Sequence, residues 1–206
     1  GQTEEKGTAS LSAGGIVGVF NVFGIGEDGM ISGCKNTGTV TADVANVGGI
    51  AGEAYLGDPR YQATIEHCQN EGIVFAANHY YAGIVADVGI KADNTFAITD
   101  CTNETDFTEG EGAGIVHHLT MQKGTMEISD SVNHGVITSS GQNAAGILCY
   151  VANMADDWKL QVENCENTAD ITAKDHVGGI VCFTAYYKSQ EGNVNTSFAI
   201  RGCKNS

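Results

Sequence analysis

The sequence predicts an all-β chain wound as a right-handed parallel β-helix solenoid of about six coils. Two recurring phrases and the runs between them carry that expectation. The first phrase is Cys-x-Asn, once Ser-x-Asn, leading into a short apolar run: "CKNTGTV" (34–40), "CQNEGIV" (68–74), "CTNETDF" (101–107), "SVNHGVI" (131–137), "CENTADI" (165–171) and the terminal "CKNS" (203–206). The second is Gly-Ile or Ala-Gly-Ile, with Ile16, Ile50, Ile84, Ile115, Ile147 and Ile180 spaced by 34, 34, 31, 32 and 33 residues. Self-similarity at a fixed period marks a solenoid, in which each unit buries its apolar face only against its neighbours.

Each unit reads as Gly-Ile-Val, a variable stretch, an apolar residue three before the Cys, the Cys-x-Asn, and a closing apolar residue. The apolar positions before the Cys are Ile31, Ile65, Ile98, Ile128, Val162 and Ile200, and those after the Asn are Val40, Val74, Phe107, Ile137 and Ile171. Short β-branched runs bounded by Gly, Asn and Asp are strand chemistry. Three short strands per unit fit one coil of a parallel β-helix, and the usual bias of parallel crossovers makes it right-handed. The units fall near 14–47, 48–81, 82–112, 113–144, 145–177 and 178–206. Residues 1–13 are expected to be a polar N-terminal cap or a remnant. Gly1 reads as a cleavage scar, and the stop in mid-unit after Asn205 leads us to expect a longer parent polypeptide.

Stacked coils place equivalent residues about 4.8 Å apart. Asn36, Asn70, Asn103, Asn133, Asn167 and Asn205 are therefore expected to form one column, each amide bonding those above and below. Asn also tolerates the left-handed turn between strands. Cys34, Cys68, Cys101, Cys165 and Cys203 form a second column, as small interior hydrophobes. Ser131 replaces Cys in that column, so the position needs no thiol chemistry. A leucine-rich repeat would need a regular leucine frame, which is absent.

Composition narrows the partners. The net charge is −15 with ten Lys+Arg. Nucleic acid is excluded as the expected partner, because phosphate binding needs a basic footprint. No apolar run reaches the length of a membrane span, so no insertion within this chain is expected.

The paired phrases resemble the GLUG-type repeats of bacterial cell-surface proteins, most fully in "MISGCKNTGTVTA" (30–42) with "VGGIAG" (47–52). The resemblance spans nearly the whole chain. It departs at Thr105 and Ala169, where the glycine after the Asn is lost. It implies an adhesin-like surface role, with no catalytic residues to carry over.

Three sets of residues are candidates for chemistry. Gly18, Gly52, Ala86, His117, Cys149 and Cys182 follow Gly-Ile-Val on successive coils. The Cys/His end of this column has ligands for zinc, a nucleophile with its base, or a Cys149–Cys182 disulfide, but no metal or protease motif accompanies it. Interior packing is the plainer reading, so no metal, cofactor or catalytic residue is assigned. The aromatics Tyr55, Tyr61, Tyr150, Trp158, Tyr186 and Tyr187 lie in the variable segments, with Tyr80 and Tyr81 just before the third Gly-Ile. Such rings stack on sugars or anchor proteins. The carboxylates of Asp100, Asp130, Asp156 and Asp157 are the third set, since glycoside cleavage needs two acids at a set separation.

The expected function is non-catalytic: a secreted or surface-displayed module for adhesion, binding glycan or another surface protein through its variable side. A polysaccharide-active enzyme is the second reading and a structural stalk the third.

Overall fold

A computed structural model of the chain describes residues 11–22, 28–43, 46–57, 60–76, 80–152, 157–184 and 196–206. Among these there is no helix. Four parallel sheets of six strands each run along one axis. Sheet A holds Ser12–Gly14, Asn46–Gly48, Tyr80–Ala82, Glu111–Ala113, Asn143–Ala145 and His176–Gly178. Sheet B holds Val17–Val22, Ala51–Leu56, Val85–Ile90, Val116–Met121, Leu148–Ala152 and Val181–Thr184. Sheet C holds Gly29–Ser32, Gln62–Glu66, Thr95–Thr99, Gly124–Ser129, Trp158–Glu163 and Ser197–Arg201. Sheet D is the row of two-residue strands at the six Asn positions, from Lys35–Asn36 to Lys204–Asn205. A broken fifth ladder, sheet E, pairs Val40–Ala42 with Val74–Ala76 and Ile137–Thr138 with Ile171–Thr172, while Phe107 bridges to Ile137. The fold is thus a parallel β-solenoid of about five complete turns and part of a sixth.

Five short segments make up a coil, where three strands were expected. The chain bends twice more than the apolar pattern reveals. At the Gly-Ile corner two successive amides share one carbonyl of the next coil: Ile50 and Ala51 both donate to Ile84 O, at 3.2 and 2.9 Å. That geometry is a corner, which separates sheet A from sheet B. The second bend lies directly before the Cys column. Gly33, His67, Asp100, Asp130, Asn164 and Gly202 all have φ between 51 and 63° there. The left-handed turn therefore falls three residues before the Asn and not on it. Gly, Asn and Asp suit this conformation best. The first strand of sheet A begins at Ser12, so the solenoid reaches two residues into the segment expected to be a cap.

The interior is divided in two. The main core lies between sheets B and C and includes Ile50, Ile84, Ile115 and Ile147, Val88, Leu119 and Val151, and Phe96, Met126 and Leu160. A smaller core lies between sheets A and E, where Val47, Tyr81 and Ala144 meet Val74, Phe107 and Ile137. Tyr81 and Phe107 pack edge to face at 5.0 Å, a favoured aromatic geometry.

The Asn column runs between the two cores. Asn36 Nδ2 donates to Asn70 Oδ1 at 2.8 Å, and the same bond repeats from Asn70 to Asn103 (3.0 Å), Asn103 to Asn133 (2.9 Å), Asn133 to Asn167 (2.8 Å) and Asn167 to Asn205 (2.8 Å). The second Nδ2 proton closes a local turn, donating to Thr105 O, Gly135 O or Ala169 O. In the Cys column each thiol donates to the carbonyl two residues back, as from Cys68 to Glu66 at 3.2 Å and Cys101 to Thr99 at 3.4 Å. Ser131 Oγ makes the same bond to Ser129 O at 2.9 Å, which explains how Ser substitutes there. All seven cysteines are free thiols, Cys149 and Cys182 included.

Candidate functional site: the groove between sheets A and B

The Gly-Ile corner is drawn inward against the Asn column, and the outer surface is hollowed at the join of sheets A and B beside Tyr80, Glu111, Asn143 and Tyr150. Two side-chain columns line this groove. From sheet A come Ser12, Asn46, Tyr80, Glu111, Asn143 and His176, the first residue of each strand. From sheet B come Glu53, Asp87, His118 and Tyr150, which pair in register on successive coils. Strand alternation points them outward, because Val88 and Ile90, which flank Gly89 after Asp87 on the same strand, face the main core.

The two columns meet one coil out of step. Ser12 Oγ donates to Glu53 Oε2 at 3.0 Å, and Asn46 Nδ2 to Asp87 Oδ2 at 3.2 Å. On the next coils rings replace these bonds. Tyr80 stacks on His117, with centroids 4.4 Å apart and planes 14° from parallel, and lies 5.8 Å from His118. His118 in turn stacks on Tyr150 at 5.4 Å, and its Nδ1 is 2.9 Å from Asp87 Oδ1. Beyond Tyr80 the groove opens into a cavity of about 470 Å3, bounded by Tyr80, Gly110, Glu111, His117, Ser140, Gly141, Gln142, Asn143 and Tyr150.

His117 is the unusual group in this cavity. Its strand skips a pairing position at residues 86 and 117, so its side chain turns from the main core toward the groove floor. Only 1 % of its surface is exposed, and neither ring nitrogen has a hydrogen-bond partner. Nε2 lies 3.9 Å from Glu111 Oε2, too far for a direct bond. Burial, and then the neighbouring His118, lowers its pKa to about 3, so the ring is neutral. Glu111 is held in place by two donors: the Gln142 amide reaches Oε1 at 2.8 Å and Asn143 Nδ2 approaches Oε2 at 3.5 Å. Burial, and then the charge of Glu111, raises the pKa of the Tyr80 phenol, which keeps it protonated. No lysine or arginine lines the cavity.

The rest of the His117 column is packing. Cys149 clusters with Ala113 and Ala145, apart from the main core, with Cys182 beside it. Hydrogen bonding to Cys182 and burial push the Cys149 thiol up, which makes it a poor nucleophile. Among the described residues no group of three or more His, Cys, Asp or Glu is placed to hold a metal ion.

The predicted aromatics scatter. Tyr150 lines the groove. Tyr55 also faces outward from sheet B, but its ring lies over Gly89 of the next coil and under the Lys91 ammonium, 5.1 Å from the centroid. Tyr61 packs against the main core, and Trp158, only 7 % exposed, belongs to it. The Trp158 ring is therefore inside the core, whereas Tyr61 stays partly exposed. Trp158 starts a sheet C strand and pairs with Gly124 of the preceding coil. Tyr186 and Tyr187 lie outside the described residues, as does Asp156. Asp100 and Asp130 occupy the left-handed turn, with Asp100 Oδ2 2.7 Å from His67 Nδ1.

Asp87, Glu111, His118 and Asn143 were not anticipated in the sequence. The available signal is positional: the residue two before each Gly-Gly or Ala-Gly phrase is polar or aromatic in all six coils. Among the described residues no helix is long and apolar enough to cross a membrane. Comparison of the chain with protein-family models, with curated proteins and with solved structures gives no match.

Proposed function

We propose that this chain is a non-catalytic ligand-binding module of the GLUG-repeat kind, secreted or displayed on a cell surface, and that it binds carbohydrate in the groove between sheets A and B. The observation that supports this most is the stacked run of Tyr80, His117, His118 and Tyr150 beside Glu111 and Asn143. Sugar binding uses that combination: ring faces for the apolar faces of pyranoses, and fixed carboxylate and amide groups for their hydroxyls. A groove that runs along the axis suits an extended chain better than a compact ligand.

Affinity electrophoresis through gels carrying soluble polysaccharides and mucins tests this reading. Retardation by one glycan is expected, with Tyr80→Ala and Tyr150→Ala abolishing it and Tyr55→Ala leaving it. Unchanged mobility on every glycan would refute it. The Asp87–His118 pair favours a second reading, a polysaccharide-active enzyme, because a carboxylate-oriented imidazole is general acid–base equipment. Release of reducing ends that is lost in His118→Asn would establish it.

A further inference from the structure

Every cysteine of the chain has another at the equivalent position of a neighbouring coil, and one pair differs from the rest. In the Cys34 column each thiol donates to the backbone carbonyl two residues back, as from Cys165 to Glu163 O at 3.4 Å and Cys203 to Arg201 O at 3.5 Å. Cys149 donates instead to the sulfur of Cys182. The two residues sit on neighbouring strands of sheet B, between the pairs Leu148 with Val181 and Tyr150 with Phe183. Neighbouring strands lie about 4.8 Å apart, inside the Cα separation of about 4.4–6.8 Å that a disulfide spans. Both side chains pack with Ala113 and Ala145, apart from the main core. Cys149 is wholly buried, whereas Cys182 is partly exposed.

From this geometry we propose that Cys149 and Cys182 are a redox-active dithiol, which a small-molecule disulfide such as oxidised glutathione converts to a covalent bond between the fifth and sixth coils, whatever the groove binds. Exposure makes Cys182 the attacking thiol. The hydrogen bond from Cys149 also holds its pKa below the ordinary cysteine value, which favours the thiolate. That thiolate attacks one sulfur of oxidised glutathione and expels the other as glutathione thiolate, which takes up the proton that Cys182 lost. Cys149 then attacks the Cys182 sulfur of the mixed disulfide, and its proton passes to the second departing glutathione. Two cysteine thiols are oxidised by two electrons, and one glutathione disulfide is reduced to two thiols. The largest cause of the raised Cys149 pKa is its hydrogen bond to Cys182, so capping Cys182 removes that restraint on the second step. Cys68 and Cys101 make a similar contact, but neither is more than 1 % exposed, which closes that pair to an oxidant.

Equilibration of the whole chain in glutathione buffers of graded reduced-to-oxidised ratio, followed by acid quenching, alkylation in urea and peptide mapping, tests this. The Cys149–Cys182 linkage should appear first as the buffers become more oxidising, at a ratio at least about tenfold more reducing than any other cysteine pair needs. The oxidised chain should unfold at a higher urea concentration, and dithiothreitol should reverse the shift. Cys149→Ala should stop at the first step, with glutathione held on Cys182, and Cys182→Ala should leave Cys149 unmodified. Both variants should fold, since Gly18, Gly52 and Ala86 fill this position on earlier coils. Free thiols at both Cys149 and Cys182 in the most oxidising buffer would overturn the proposal. So would a Cys165–Cys203 or Cys34–Cys68 linkage that forms first, or a Cys182 that carries no glutathione in Cys149→Ala.

Discussion

Asn133 lies directly against Gly114, on the opposite wall of the same coil. A Cβ at Gly114 would come within 2.5 Å of the Asn133 amide carbon and collide with the Gly146 carbonyl of the next coil. The contact recurs in every unit, as Gly15 with Asn36, Gly49 with Asn70, Gly83 with Asn103, Gly146 with Asn167 and Gly179 with Asn205. The two phrases of the repeat are thus the two halves of one pinch. It divides the interior into two cores and makes the outer surface concave where the candidate site sits.

Gly114→Ala should therefore cost about 3 kcal/mol, the upper part of the range for overpacking. Strain of a left-handed backbone is not involved, since Gly114 does not have a positive φ. Gly18→Ala should change stability by less than about 1 kcal/mol, because a Cβ there meets only Ser12 O at 3.3 Å. Urea unfolding of both variants measures the difference.

Asn133→Ala removes a donor and an acceptor from the middle of the ladder. Asn167 Oδ1 loses its donor, Asn103 Nδ2 loses one of its two acceptors, and Gly135 O is left unbonded. A loss of about 3 kcal/mol is expected at this fully buried position. Asn205→Ala, at the exposed last rung, should cost under about 1 kcal/mol. Amide exchange should quicken on both sides of residue 133 and only locally at residue 205.

His117 makes stability depend on pH with a definite sign. Its folded pKa of about 3 lies below the unfolded value near 6.5. The unfolded chain therefore takes up the proton first, and stability falls as pH drops from about 6.5 toward 3. Between pH 7 and 5 the loss from this one group is about 2 kcal/mol. The unfolding free energy of His117→Ala, followed over the same interval, should fall by about that much less than the wild type's.

Asp130 tests whether the turn acids are structural. Asp130→Gly should stay within about 1 kcal/mol of wild type, because Gly33 and Gly202 hold the same left-handed position. Asp130→Val should cost about 2 kcal/mol, as a β-branched side chain resists that conformation. Both variants should keep full glycan retardation, because residue 130 lies outside the groove.

The coil is legible in the sequence because Gly-Ile and Asn return at nearly constant spacing and in nearly constant identity. The groove is not. Its sheet A column runs Ser12, Asn46, Tyr80, Glu111, Asn143 and His176, where only the position recurs and the chemistry changes on every coil. The contacts that build the site also link residues one coil out of step, as from Tyr80 to His118, so no spacing within a unit announces them. Trp158 misleads for the opposite reason. A ring in a variable segment resembles a surface anchor, but Trp158 opens a sheet C strand whose alternate residues Leu160 and Val162 face the main core. The position of the left-handed turn is legible only once Gly33, His67, Asp100, Asp130, Asn164 and Gly202 are aligned as one column of mixed residues.

Histidine ring resonances followed by ¹⁵N–¹H NMR, while the retarding glycan is titrated in, test the groove most directly. His117 and His118 should shift with the ligand, and His67 and His134, which lie on the sheet C and D side of the coil, should not. Shifts confined to His67 and His134, with His117 and His118 unmoved, would place the ligand elsewhere on the solenoid and contradict the account.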